Sequence, residues 1–163
     1  MNMTTGGFTS VQLLREEEVL ALPAFTQSDA LTIGQIAYEI ASTRELPITI
    51  EVRMGEWTIF HASMPGSKPE NDEWIARKAR VVLASGHSTM HERVLSEELN
   101  VDWYEKHNLP EKLHAIHGGG LPLNVIGKGL QGILLISGLP QVDDHLLGVE
   151  IITEYLARAG ENI

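Results

Sequence analysis

The sequence predicts an α+β domain, an antiparallel sheet flanked by helices, in preference to a doubly wound parallel sheet. Three observations carry this. Ile48, Ile50, Val52 and Met54 alternate with Thr49, Glu51 and Arg53, the period of a half-buried strand, and Gly55-Glu56 then supplies a two-residue turn into a second strand. Residues 121–126 and 130–137 flank a Gly127-Lys128-Gly129 turn and form a second hairpin. The order is therefore helix, helix, hairpin, helices, hairpin, helix, in which each strand has a neighbour in the chain to pair with.

Residues 1–9 read as a polar, flexible tail and residues 10–22 as a modest helix. Ser28 can cap a stronger helix running to Leu46, on which Ala30, Ile33, Ala37, Ile40 and Ala41 share one face, the spacing of a stripe packed on a sheet. Pro47 ends it. In the first hairpin a type II′ turn pairs Met54 with Trp57, Val52 with Ile59 and Ile50 with His61, which turns His61 to the apolar face. After a loop over residues 65–69, Asn71 can cap a helix with Asp72 and Glu73 in its first turn, where the helix dipole favours acids.

Trp74, Lys78 and Val81 form one stripe of that helix, and Gly86 ends it. Thr89-Met90-His91-Glu92 has the form of a capping box and starts a helix reaching Leu99, and residues 102–107 add a short turn. In the last strand Ile133, Leu134, Leu135 and Ile136 leave neither face for water, which marks a central strand covered on both sides. The final helix follows Pro140. It has Asp143 and Asp144 at its start and Val142, Leu146, Val149, Ile152 and Leu156 as its buried stripe.

A chain of 163 residues fits one domain, here residues 1–163, which can bury roughly 70% of the surface its unfolded form exposes. No apolar run approaches the roughly 20 residues that span a bilayer, so no membrane association is expected. The first ten residues show neither a basic nor an apolar signal region, so the expected location is cytoplasmic. The absence of cysteine excludes disulfides, thiolate zinc sites, iron–sulfur ligation and a cysteine nucleophile. A net charge of −10 opposes nucleic-acid binding, which depends on Lys and Arg neutralising phosphates. Small molecules or proteins are the expected partners.

Several motifs are incomplete. Gly127-Lys128-Gly129-Leu130-Gln131-Gly132 matches the dinucleotide pattern, but that motif must open a helix, and here a strand follows. His91-Glu92 begins like a metalloprotease motif, yet Leu95 stands where the second histidine is required. His87 and His91 have four-residue spacing, but Gly86 puts His87 outside the helix. His117-Gly118-Gly119-Gly120 resembles the oxyanion loop of esterases, whose serine elbow is missing here. The three glycines either allow a tight entry into the next strand or present amides beside an imidazole, able to hold an anionic group. His145, close to two acids, reads as a surface histidine, and His61 as a core or interface one.

Taken together, Phe60-His61-Ala62, the run from Pro69 to Lys78, His117-Gly118-Gly119-Gly120-Leu121-Pro122-Leu123, and Ser137-Gly138-Leu139-Pro140-Gln141 followed by Asp143-Asp144-His145 resemble the HbpS-like, GlcG-type "haem-degrading domain" family. The resemblance spans residues 19–156. It implies a five-stranded antiparallel sheet with helices on both faces, similar to the profilin-like arrangement, and assembly into homo-oligomers. Some relatives bind haem or corrinoid-like tetrapyrroles, and many have no established activity. No motif fixes which histidine would meet iron.

The resulting expectation is a small-ligand-binding domain, with haem or a related tetrapyrrole as the ligand the resemblance implies. The residues assigned to the site are Asn71, Trp74, Lys78, His117, Gly118 and Gly119. Lys78 would meet a carboxylate, Trp74 would stack on a flat ligand, and His117 with the two glycine amides would hold a polar group or iron. Two alternatives stay open. One is a non-catalytic oligomeric scaffold in which Trp57, Trp74 and His61 are interface or core residues. The other is a metal-assisted hydrolase using His61, His117 or His145 with a nearby acid.

Overall fold

A computed structural model describes residues 5–161. The helices are α1 (Ser10–Val19), α2 (Gln27–Thr43), α3 (Pro69–Ser85), α4 (Thr89–Leu99), α5 (Trp103–His107) and α6 (Gln141–Glu161). The strands are β1 (Thr49–Met54), β2 (Trp57–Ser63), β3 (Gly120–Val125) and β4 (Gly129–Ser137). The strands form one antiparallel sheet in the order β2-β1-β4-β3.

The expected fifth strand is a correction: the described residues hold four. At the free edge of β3 the ladder is extended only by Leu22, whose N–H donates to the Asn124 carbonyl and whose own carbonyl accepts from Ile126.

Because side chains alternate along a strand, β4 supplies two cores. Leu134 and Ile136 join Ile50 and Val52 of β1 and Leu121 and Leu123 of β3 under α2 and α6. Ile133 and Leu135 face the other way and pack with Ile75, Ala79 and Val82 of α3. Helices thus cover both faces, as the apolar run in β4 predicts.

Four local expectations change. The cap of α2 is Thr26, which exchanges side-chain bonds with Asp29, and the helix ends at Thr43, with Arg44 as its C-cap, ahead of Pro47. Lys68 is the cap residue of α3, with Pro69 in its first turn, while Asn71 lies inside the helix. Ser88, one residue before Thr89, caps α4 and accepts from the His91 amide. On α6 the buried stripe is Leu147, Ile151, Ile152 and Tyr155, and Leu146 is 45% exposed. Gly148 decides that rotation: a Cβ there would lie 2.3 Å from Leu121, so this flank of α6 sits directly on β3.

The first hairpin also shifts register. A bulge between Val52 and Arg53 lets Val52 pair with Phe60 and Glu51 with His61. His61 therefore leaves the apolar face predicted for it and joins the polar side of β1. Within the expected flexible tail, Thr5 is buried and Phe8 packs against the Leu13, Met90 and Val94 cluster. Residues 1–4 of that tail lie outside the described residues.

Candidate functional site

A cavity of about 260 Å³ lies between the N-terminal half of α3, the loop at residue 117 and the start of α6. Asn71, Trp74 and Lys78 reach it because spacings of three and four bring them to one side of α3. His117 faces them: its ring centre is 4.8 Å from that of Trp74, edge to face at 67°. The Arg77 guanidinium sits 4.5 Å from the Trp74 ring centre, a cation–π contact that holds the indole against the helix. Asn71 turns its carbonyl oxygen back to accept from the Lys68 amide at 2.8 Å and donates through Nδ2 to Ser137 Oγ at 3.3 Å. Four of the six residues assigned from sequence therefore line one cavity.

The inner wall carries charge. Lys78 Nζ donates to the Ile136 carbonyl at 2.8 Å and to Asp144 Oδ2 at 3.3 Å, and both side chains are almost wholly removed from water. Asp144 also accepts from the Gly138 and Leu139 amides at 3.3 and 3.0 Å. The carboxylate that Lys78 meets is thus internal, not one brought by a ligand. Burial lowers the Lys78 pKa against the pull of Asp144. Burial likewise pushes the Asp144 carboxyl up to about 6, opposed by Lys78 and the two amides.

His117 is held neutral. Burial, then the positive charges of Arg93, Lys78 and Arg77, bring its pKa down to about 4. Its Nδ1 is buried with no hydrogen-bond partner among the described residues.

The glycine loop departs from its expected role. The Gly118 amide donates to the Gln141 side chain at 3.2 Å, so it is already committed to α6. Gly119 adopts φ 129°, and a Cβ there would stand 2.2 Å from the Ile136 carbonyl oxygen and 2.7 Å from Lys78 Nζ. Neither glycine lines the cavity; both let the chain pass close behind it. Ser137, Gly138, Leu139, Gln141 and Asp144, which do line it, carry the family resemblance in the sequence but are not assigned to the site there. The available signal is the motif run from Ser137 to Gln141 that the resemblance rests on.

The other histidines lie elsewhere. His145, read as a surface residue, is fully buried: Nε2 bonds to Glu16 Oε1 at 2.7 Å and the ring lies edge-on to Phe8, so residues at and before α1 cover it. The His87 and His91 rings are 4.7 Å apart, but their Nδ1 atoms bond to Glu17 and Glu92 respectively, each at 2.8 Å. Among the described residues no three His, Asp or Glu side chains converge on a common metal position, and no helix is long and apolar enough to cross a membrane.

The family model described as haem degrading protein HbpS-like matches residues 25–153. A UPF0303 protein of Streptomyces avermitilis is 39% identical over 150 residues, covering 92% of each chain. One of Streptomyces coelicolor is 37% identical over 148 residues, covering 91% of this chain and 94% of its own. The crystal structure of the Ybr137w protein superposes with a TM-score of 0.87 at 26% identity, covering 96% of this chain and 92% of that one. The crystal structure of a PduOC:heme complex superposes with a TM-score of 0.66 at 21% identity, covering 80% and 94%, a likeness of fold. With the family model spanning most of its length and curated relatives aligned nearly end to end, the chain belongs to the HbpS-like family.

Proposed function

We propose that the chain binds a small ligand in the cavity between Trp74 and His117. The carrying observation is the convergence of Asn71, Trp74, Lys78 and His117 on one concave site. Such a site combines an aromatic wall with a few placed polar groups, the usual composition of a ligand pocket. The positive field on His117 comes from Arg93, Lys78 and Arg77, and Asp144 at the inner wall offsets part of the Lys78 charge. That field favours an acidic or electron-rich group beside the imidazole.

Haem is the ligand that the family description and the PduOC:heme neighbour suggest. A neutral imidazole suits iron, and His117 is the residue that would hold it; bound haem would supply redox and oxygen chemistry. The volume sets a limit. At about 260 Å³ the cavity is below the size usual for drug-sized ligands and smaller than a ring of four pyrroles, so most of the macrocycle would remain outside it. Trp74 would pack against the enclosed part, and Lys78, tied to Asp144, would act on it only through its field.

Titration with haemin tests this reading: a saturable Soret shift in the wild type, lost in His117→Ala, is expected. No saturable shift, or an unchanged one in the variant, removes haem and leaves a smaller ligand. An oligomeric scaffold is a second reading, favoured by Trp57, 60% exposed on the edge strand β2. Trp74, by contrast, is engaged by His117 and Arg77. Light scattering of Trp57→Ala separates the two readings, since only the scaffold needs that indole.

A further inference from the structure

We propose that His61, Asp72 and Ser63 anchor a divalent transition-metal ion of the zinc or copper type, beside the first turn of α3 and outside the cavity described above. The hairpin bulge places His61 directly opposite Glu51 on the neighbouring strand. His61 Nδ1 bonds to Glu51 Oε1 at 2.8 Å, and the other oxygen of Glu51 accepts from Arg53 Nε. A carboxylate on Nδ1 fixes the ring and its tautomer and directs the Nε2 lone pair outward, the outer-sphere arrangement common to metal-binding histidines.

Two oxygens then approach Nε2, Ser63 Oγ at 3.4 Å and Asp72 Oδ1 at 3.5 Å. Both distances exceed a good N–H···O bond. They are close to the separation, about 3.4 Å, of two ligands that each lie about 2.1 Å from a tetrahedral ion. The pattern is thus tight on Nδ1 and loose by one ion's span on Nε2.

Access and charge agree with this. The His61 and Asp72 side chains are 36% and 56% exposed, whereas Glu51 is 8% exposed and firmly held. Two carboxylates against one guanidinium leave the cluster net negative, which favours a cation. The donor set is one imidazole, one carboxylate and one neutral hydroxyl. Water would fill the remaining position, and because a neutral hydroxyl is a poorer donor than imidazole or carboxylate, binding is expected to be weaker than at a site of three His, Asp or Glu ligands.

The site adjoins the cavity without sharing its ligands. Ser63, Thr49 and Ser137 are aligned across β2, β1 and β4, which puts Ser63 about 10 Å from Ser137 by two strand spacings. Consecutive residues of α3 serve the two places: Asn71 bonds to Ser137 and Asp72 faces His61.

Zn²⁺ calorimetry and Cu²⁺ paramagnetic resonance on the full chain test the assignment. One ion per chain is expected, with nitrogen coupling from a single imidazole. His61→Ala should abolish both signals, and Asp72→Asn should weaken binding at least tenfold. Glu51→Gln should weaken it by about 10–100-fold through the outer sphere, whereas His87→Ala should leave it unchanged. No binding by the wild type at millimolar metal, or undiminished binding in His61→Ala, overturns the proposal. Asp72 is exposed and its amide keeps the same shape, so unchanged affinity in Asp72→Asn overturns it independently of any folding defect.

Discussion

Lys78 and Asp144 stand 3.3 Å apart with 3% and 2% of their side chains exposed, joining the middle of α3 to the first turn of α6. Two charges withdrawn from water gain only when each finds its full set of partners. Lys78 has the Ile136 carbonyl as well as Asp144, and Asp144 has two backbone amides as well as Lys78. The pair therefore fixes the separation of the two helices that bound the cavity.

Breaking it from one side should be expensive. Lys78→Met leaves the Asp144 charge buried with only the Gly138 and Leu139 amides, and a loss of about 3–5 kcal/mol is expected in urea unfolding. Adding Asp144→Asn removes the stranded charge yet keeps an oxygen for those amides, so the double variant should recover part of the loss. A Lys78→Met protein within about 1 kcal/mol of wild type would show that the pair does not hold the helices.

Acid should expose the state of His117. Its folded pKa, about 4, lies below the ordinary 6.5, so its contribution to stability is complete above pH 6.5 and is lost as pH falls toward 4. Asp144 acts in the opposite sense: its raised pKa of about 6 makes the fold more tolerant of acid over nearly the same range. Wild-type stability thus hides both effects, and a variant is needed to separate them. Relative to wild type, His117→Gln should gain about 2 kcal/mol between pH 6.5 and 4, less than the full amount of about 1.4 kcal/mol per pKa unit because water still reaches part of the ring. Unfolding midpoints that stay parallel across that range would show that the imidazole titrates normally.

The parts of this site visible in the sequence are those that one helix carries. Trp74 and Lys78 follow from a helical period, Asn71 enters as the expected cap of the same helix, and His117 follows from an imidazole beside a glycine run. Asp144 lies 66 residues beyond Lys78, and nothing local distinguishes it from Asp143, which does not line the cavity. His61 was misplaced because a bulge adds a residue to one strand without any composition signal, which turns every later side chain over. His145 reads as a surface residue in sequence because its cover comes from Glu16, 129 residues earlier, and from Phe8. Strand alternation and turn glycines made both hairpins legible. The count of strands is not: five is what the family resemblance implies, and the edge of β3 is extended here by the single residue Leu22.

The glycine loop offers a test of geometry against ligand contact. Gly119 holds φ 129°, its carbonyl accepts from the Ile136 amide at 2.8 Å, and an added Cβ would stand 2.7 Å from Lys78 Nζ. An added methyl would strike the Ile136 carbonyl oxygen and the ammonium group together, and neither is free to move, since Lys78 is bound to that same carbonyl. Gly119→Ala should therefore cost about 3 kcal/mol or more through clash and backbone strain combined. Gly127 is the matched control. It has φ 79° and nothing within 4 Å of an added Cβ, so Gly127→Ala should cost only the strain of a left-handed residue, about 1–2 kcal/mol. Equal losses in the two variants, measured by thermal or urea unfolding, would mean that conformation alone makes Gly119 necessary. A loss at Gly119 beyond the about 1–3 kcal/mol that its backbone conformation alone costs would place its value in the close approach of loop, strand and lysine behind the cavity.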